Sequence, residues 1–362
     1  TNPYIGSNAG CTPANATLVW QDEQDLVTGV GLSGNFLTFT VNQATIKQGN
    51  AVVAVRDASN AILWSWHIWV TDYVPGTGLK TITNFQNHNY TILPVNIGWC
   101  DEKRENYAGR QVKVRFKQQA TQGYAGTTET VIVKQKAHEI VYSGNNTYYQ
   151  WGRKDPMLPA MAYIGDKPCY ADADKPQYLF TRNNGQAASL AEAIKNPNKI
   201  YYADSFYWFD ISTYIGITDI ANLWNGQNTI YGANDEPIVK TIYDPSPTGY
   251  HLPPGNLFTG FSITGQETNI TSNFNIQGDW NGGFNFYCGL NHTGNTTFFP
   301  AVGFRFYNTG NVLFIGDGGY YWSSALKQPG IARYLSFDRG YVRPLYEAYL
   351  GFGISVRPCQ EQ

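Results

Sequence analysis

Ile62-Leu63-Trp64-Ser65-Trp66-His67-Ile68-Trp69-Val70 is the stretch on which the fold class turns. It is the longest apolar run in the chain, yet Ser65 and His67 interrupt it, and it is less than half the roughly 20 residues a membrane helix needs. Its β-branched and aromatic content favours a strand. Trp64, Trp66, Ile68 and Val70 then share one face, and Leu63, Ser65, His67 and Trp69 share the other, so both faces are predicted to be covered. Working outward, similar short runs recur between Gly and Asn punctuation. They are Ala16-Thr17-Leu18-Val19-Trp20, Phe36-Leu37-Thr38-Phe39-Thr40-Val41, Ala51-Val52-Val53-Ala54-Val55, Gln111-Val112-Lys113-Val114-Arg115-Phe116-Lys117 and Thr130-Val131-Ile132-Val133-Lys134. The last two alternate in period two, as half-buried strands do. Six short strands without a helical stretch imply an antiparallel β-sandwich, with Trp20, Trp64, Trp66 and Val114 expected in its core.

The 362 residues exceed one ordinary core, so two domains are expected. Charged residues make up 14% of the chain against roughly 25% in typical domains. Gly, Pro and aromatics fill their place, the composition of a β-rich, loop-heavy, secreted protein. With 25 Lys and Arg against 27 Asp and Glu, no basic excess exists to neutralise phosphates, and nucleic acid is excluded as the natural partner. Five cysteines (Cys11, Cys100, Cys169, Cys288, Cys359) stand without CxxC spacing, which excludes a zinc ribbon or thioredoxin-type motif. The predicted boundary follows Tyr142, with Ser143-Gly144-Asn145-Asn146 as a hinge between a domain of residues 1–142 and one of residues 143–362. The second reads as α+β with few helices. Ser189 is expected to cap a helix through Lys195, with Glu192 completing a capping box and Asn196-Pro197 ending it. Thr218-Asp219-Ile220-Ala221-Asn222-Leu223-Trp224 is a second helix candidate.

Four motifs in the second half carry a family resemblance. They are Tyr148-Tyr149-Gln150-Trp151-Gly152-Arg153-Lys154-Asp155-Pro156, Tyr243-Asp244-Pro245-Ser246-Pro247-Thr248-Gly249-Tyr250-His251-Leu252-Pro253, Gly319-Tyr320-Tyr321-Trp322-Ser323-Ser324 and Gly353-Ile354-Ser355-Val356-Arg357-Pro358. In order and combination they resemble bacterial surface domains of the fibrobacter-succinogenes-type paralogous family, which is similar to C-type lectins and to the formylglycine-generating-enzyme fold. The first half, through Gly49 to Val55 and Ile62 to Asp72, resembles the sandwich of fimbrillin-type proteins. The resemblance implies a mainly β, two-domain pilus tip adhesin on the cell surface or fimbrium, with an N-terminal sandwich and a C-terminal C-type-lectin-like domain. It implies a glycan or protein ligand on a host or neighbouring cell, and pilus subunits joined by strand insertion. Ser246 stands where the family often has Cys, and Cys359 follows Arg357-Pro358. Glu236-Pro237-Ile238 and Trp280-Asn281-Gly282 each lack the last ligand of the calcium triplets of sugar-binding lectins, so no metal and no cofactor is expected.

Catalytic signatures point the same way. The five histidines (His67, His88, His138, His251, His292) are scattered, with no HExxH, GxSxG or P-loop, and read as structural. The rival class is a secreted enzyme, either an oxidase of the formylglycine-generating kind through Cys288 and Cys359, or a glycan hydrolase. Its carboxylate clusters, Asp22-Glu23-Gln24-Asp25 and Asp172-Ala173-Asp174, read as solvated turns. The ligand surface is placed instead near the C-terminus. There the alternating strand Tyr334-Leu335-Ser336-Phe337-Asp338, the turn Arg339-Gly340 and a predicted loop over 342–350 collect Tyr and Arg, the residue types of binding hot spots. The expected site residues are Tyr320, Arg339, Tyr341, Arg343, Tyr346 and Tyr349.

Overall fold

In a computed structural model of the chain, the described residues are 11–161, 165–170, 181–183, 188–201, 208, 222–228 and 231–361. They are mostly β, in many small sheets that are antiparallel except where Thr181–Asn183 runs parallel to Lys199–Tyr201. The helix Leu190–Lys195 is capped as its sequence dictates: Ser189 accepts from the Glu192 backbone, and Glu192 reaches back to the Ser189 N–H at 2.9 Å. The second helix candidate lies outside the described residues from Thr218 to Ala221, and Asn222–Trp224 is a turn.

Chain contacts separate two compact units, residues 101–144 and the remainder. The smaller unit is a long two-stranded ribbon, pairing Lys103–Tyr107 with His138–Tyr142 and Arg110–Lys117 with Thr128–Gln135. Val112 lies opposite Val133 and Val114 opposite Val131, so the alternation predicted from sequence is real. The expected core role of Val114 is not met, however. Its neighbours Val112, Phe116, Val131 and Val133 are exposed and Val114 is half-buried, because period-two patterning specifies a face but not what covers it.

In the larger unit, Asn15–Gln21, Gly49–Arg56 and Ile62–Val70 form one antiparallel sheet with Gly49–Arg56 in the centre. Its central strand is buried on both faces apart from half-buried Arg56. Trp20 belongs to the core as predicted, but Trp64 is half-buried and Trp66 is 39% exposed. Both stand on an edge strand, where a large ring can leave the sheet, so full coverage of both faces fails there.

The boundary predicted at residue 142 does not separate these cores. Lys80–Thr83 and Asn89–Ile92 share a four-stranded sheet with Tyr250–His251 and Cys359–Gln360. Of the expected hinge, Asn145 and Asn146 are buried, Asn146 accepting from Asn96 Nδ2 and donating to Ser355 Oγ, each at 3.0 Å. Cys100 and Asn145 exchange main-chain hydrogen bonds at 2.8 and 3.1 Å, closing the larger unit at the point where the ribbon leaves it. Replacing residues 101–144 with a short glycine linker should therefore leave the denaturation midpoint of the rest nearly unchanged. A collapse of that midpoint would show that the ribbon stabilises the body.

The sheet of Gly318–Gln328, Ile331–Asp338 and Tyr341–Tyr349 has a core on each face. Tyr320, Trp322 and Tyr334 join Trp151, Trp208 and Trp224 on one side. Tyr321, Leu335 and Phe337 join Phe261, Phe286 and Phe299 on the other. Alternation along each strand produces this division.

Candidate ligand-binding face

The stretch 342–350, expected as a loop, is the edge strand of that sheet through Tyr349. Val342, Pro344 and Ala348 are buried while the residues between them are partly or fully exposed, a strand pattern concealed by the proline. An edge strand tolerates a residue without N–H. Val342 also exchanges two main-chain bonds of 3.0 Å with Thr268, which fixes the outer edge.

The ladder aligns Tyr320 with Ser336 and Ser336 with Arg343, and next to them Tyr334 with Tyr346. The Arg343 guanidinium lies between two rings, 4.0 Å from the centroid of Tyr341 and 4.5 Å from that of Tyr346, and it ion-pairs with Glu267. Tyr346 meets Tyr334 edge to face at 5.7 Å, and Tyr334 is 6.2 Å from Tyr320. Burial, then the neighbouring Tyr341 hydroxyl, pushes the Tyr320 phenol up; burial, then Tyr346, does the same to Tyr334. Both stay neutral near pH 7 and can donate as well as accept.

Four of the six expected residues are thus brought together: Tyr320, Tyr341, Arg343 and Tyr346. Tyr320 is the deep member, 7% exposed, and supports the cluster from below. Arg339 is elsewhere, its guanidinium 5.2 Å over the Trp280 ring, which packs on Phe284 and Phe337 in the opposite core. Tyr349 pairs with Ile331 at the far end of the strand and meets the Tyr307 ring at 6.3 Å. Sequence reading missed Tyr334 and Ser336, although the alternation it noted puts both on the face of Tyr346. It also missed Glu267, for which no local signal exists. Beside Tyr346 opens a cleft of about 500 Å³ lined by Gln266, Glu267, Arg333, Leu345 and Glu347. Arg333 and Lys327 both bind Glu347, at 2.8 and 2.5 Å, while Arg333 Nε is buried without a partner.

The groups considered for catalysis are built differently. Cys288 and Cys359 are buried in one aromatic core, where burial raises both thiols, Cys359 to about 12, the opposite of an activated nucleophile. Asp22, expected in a solvated turn, is buried, accepting from the Asn50 N–H at 2.6 Å and from Lys167 Nζ at 3.2 Å. A β-bulge before Trp20 and the buried Lys167, both invisible in the local sequence, draw it inward. Asp172 and Asp174 lie outside the described residues. Ser65, Lys154 and Asp155 form a cluster that sequence reading did not single out. The Ser65 hydroxyl donates to the Asp155 carboxylate at 2.6 Å and accepts from the Lys154 ammonium, so it is held within a buried ion pair. Burial, opposed by Asp155, lowers the Lys154 pKa. Among the described residues no group of three or more His, Cys, Asp or Glu could hold a metal ion, and no helix is long and apolar enough to cross a membrane.

Comparison with known proteins adds no family: no protein-family model, no curated protein and no solved structure matches the chain.

Proposed function

We propose that this chain is an extracellular adhesin of the pilus-tip type, binding a glycan or protein ligand through the face of Tyr341, Arg343 and Tyr346. The observation that carries this reading is the Arg343 guanidinium held between two tyrosine rings at the mouth of a cleft. Ordering a long cation before binding removes much of the entropy cost of presenting its donors, and tyrosine supplies contact area at low entropy cost. Tyr346, 37% exposed, offers a ring edge and a hydroxyl to a partner. The buried thiols of Cys288 and Cys359, their pKa values raised by burial, supply no activated nucleophile for the oxidase alternative. Attachment to further subunits by strand insertion would use the Phe36–Thr40 edge, four of whose five residues are exposed.

Tyr346→Ala and Arg343→Ala should each weaken adhesion to the natural surface about thirtyfold, corresponding to the roughly 2 kcal/mol of a central hot spot. The unfolding midpoint should hardly move, because both residues sit at the rim. Normal adhesion in both variants sinks the reading, and so does loss of folding together with adhesion.

A further inference from the structure

A second concavity, a groove of about 1080 Å³, runs along the edge strand Ile62–Val70 and against the Asp244-Pro245-Ser246-Pro247 loop. It is at the upper end of pockets that enclose small ligands. Its rim is aromatic. Trp66 is 39% exposed, Trp64 lies beside Tyr243 at 6.2 Å, and Trp69 stacks on Tyr73 at 6.3 Å with planes only 16° apart. Its deep wall is polar and rigid. Lys240 Nζ donates to the carbonyls of Ser246, Pro247 and Tyr250 at 2.5, 2.7 and 2.6 Å, tying the loop down. The Asp244 carboxylate accepts the Ser246 N–H at 2.7 Å and the Leu252 N–H at 2.9 Å, one on each oxygen, and retains unused lone pairs. The Ser246 hydroxyl, in a residue 7% exposed, faces that carboxylate and helps to keep it ionised.

We propose that this groove is a second ligand site, distinct from the Arg343 face, and that it takes a neutral oligosaccharide. Flat indole faces beside a hydroxyl and an acceptor carboxylate match a ligand with apolar C–H faces and a rim of hydroxyls. Charge selects against ionic ligands. The Lys154 ammonium, 4.4 Å over the Trp64 ring, is neutralised by Asp155 at 2.7 Å, and the Asp244 charge is opposed by Lys240. An extended peptide would need the main-chain edge of Ile62–Val70, but Lys154 already donates to the Ser65 carbonyl at 3.0 Å and blocks that ladder midway.

The test uses the intact protein on an array carrying neutral and charged oligosaccharides together with proline-rich and extended peptides. Neutral hits longer than a disaccharide are then titrated by calorimetry against variants. At least one neutral glucose-, mannose- or galactose-based oligosaccharide should bind. Trp66→Ala and Ser246→Ala should each weaken it about tenfold or more, with the unfolding midpoint of Trp66→Ala near that of the parent, since its ring is at the rim. Arg343→Ala should leave this affinity unchanged, which separates the groove from the adhesive face. The proposal is overturned if no neutral saccharide binds, if only peptides or charged glycans do, or if binding survives both groove variants or follows Arg343→Ala.

Discussion

Arg357→Ala should destabilise the protein by roughly 3–5 kcal/mol, the range for losing one partner of a buried charged network. The side chain is 1% exposed, and no carboxylate pairs with it among its contacts. Its Nε donates to Asn96 Oδ1 at 2.7 Å, Nη1 to the carbonyls of Pro94 at 2.7 Å and Leu93 at 3.4 Å, and Nη2 to that of Phe298 at 3.1 Å. The guanidinium also lies 4.3 Å over the Phe299 ring. Burial pushes its pKa down to about 10, so it remains charged at neutral pH and its charge is held by carbonyl dipoles and the ring. Alanine would leave a cavity and strand these acceptors together. Arg357→Met separates the two effects, because it refills the space without restoring donors. It should recover only part of the loss, ending about 2 kcal/mol below the parent. Full recovery by methionine in urea unfolding would show that the hydrogen bonds contribute nothing and that packing explains the position.

Arg357 also shows which parts of the architecture are written locally. The closing motif around it is conspicuous in sequence, and the capping box at Ser189 and the alternation of Tyr334 to Asp338 specify their elements within a few residues. Its partners at Leu93, Pro94 and Asn96 are about 260 positions away and carry no signature, so residues 1–142 could be read as self-contained while their later strands were joined to the C-terminus. The candidate site behaved likewise. Tyr346 and Arg343 were recognisable as residue types, yet Pro344 concealed the strand that presents them, and Glu267 comes from a distant loop. Burial of Asp22 depends on Lys167 and Asn50, neither of which its turn-like neighbourhood predicts. The ribbon failed in the opposite sense. Its local pattern is accurate, and the expectation of cover was supplied by analogy with sandwich strands, not by the residues.

Acidification should destabilise the folded chain through His67, and substituting that residue should remove this part of the response. Asn50 Nδ2 donates to Asp22 Oδ2 and to the Gly98 carbonyl, which leaves Asn50 Oδ1 as an acceptor for His67 Nε2–H at 3.0 Å. His67 Nδ1 must then accept from the Tyr149 hydroxyl at 3.1 Å. The neutral ring satisfies both contacts, whereas a proton on Nδ1 would turn a donor against that hydroxyl. Burial holds the His67 pKa at about 3, against an ordinary value of 6.5. The unfolded chain therefore binds more protons than the folded one between these values, and stability rises with pH across that window. Below pH 6.5 the loss approaches 1.4 kcal/mol per pH unit at most, reduced to the extent that water in the groove reaches the ring. His67→Gln cannot titrate. Its unfolding free energy, measured in urea at pH 7, 6, 5 and 4, should fall less steeply than that of the parent, by roughly 1 kcal/mol per unit over the lower two steps. Carboxylates such as Asp22 and Asp244, whose pKa values burial raises, are common to both proteins and cancel in the difference. Parallel curves for the two proteins would show that His67 is protonated in the folded state and that the tautomer assigned by Asn50 and Tyr149 is wrong.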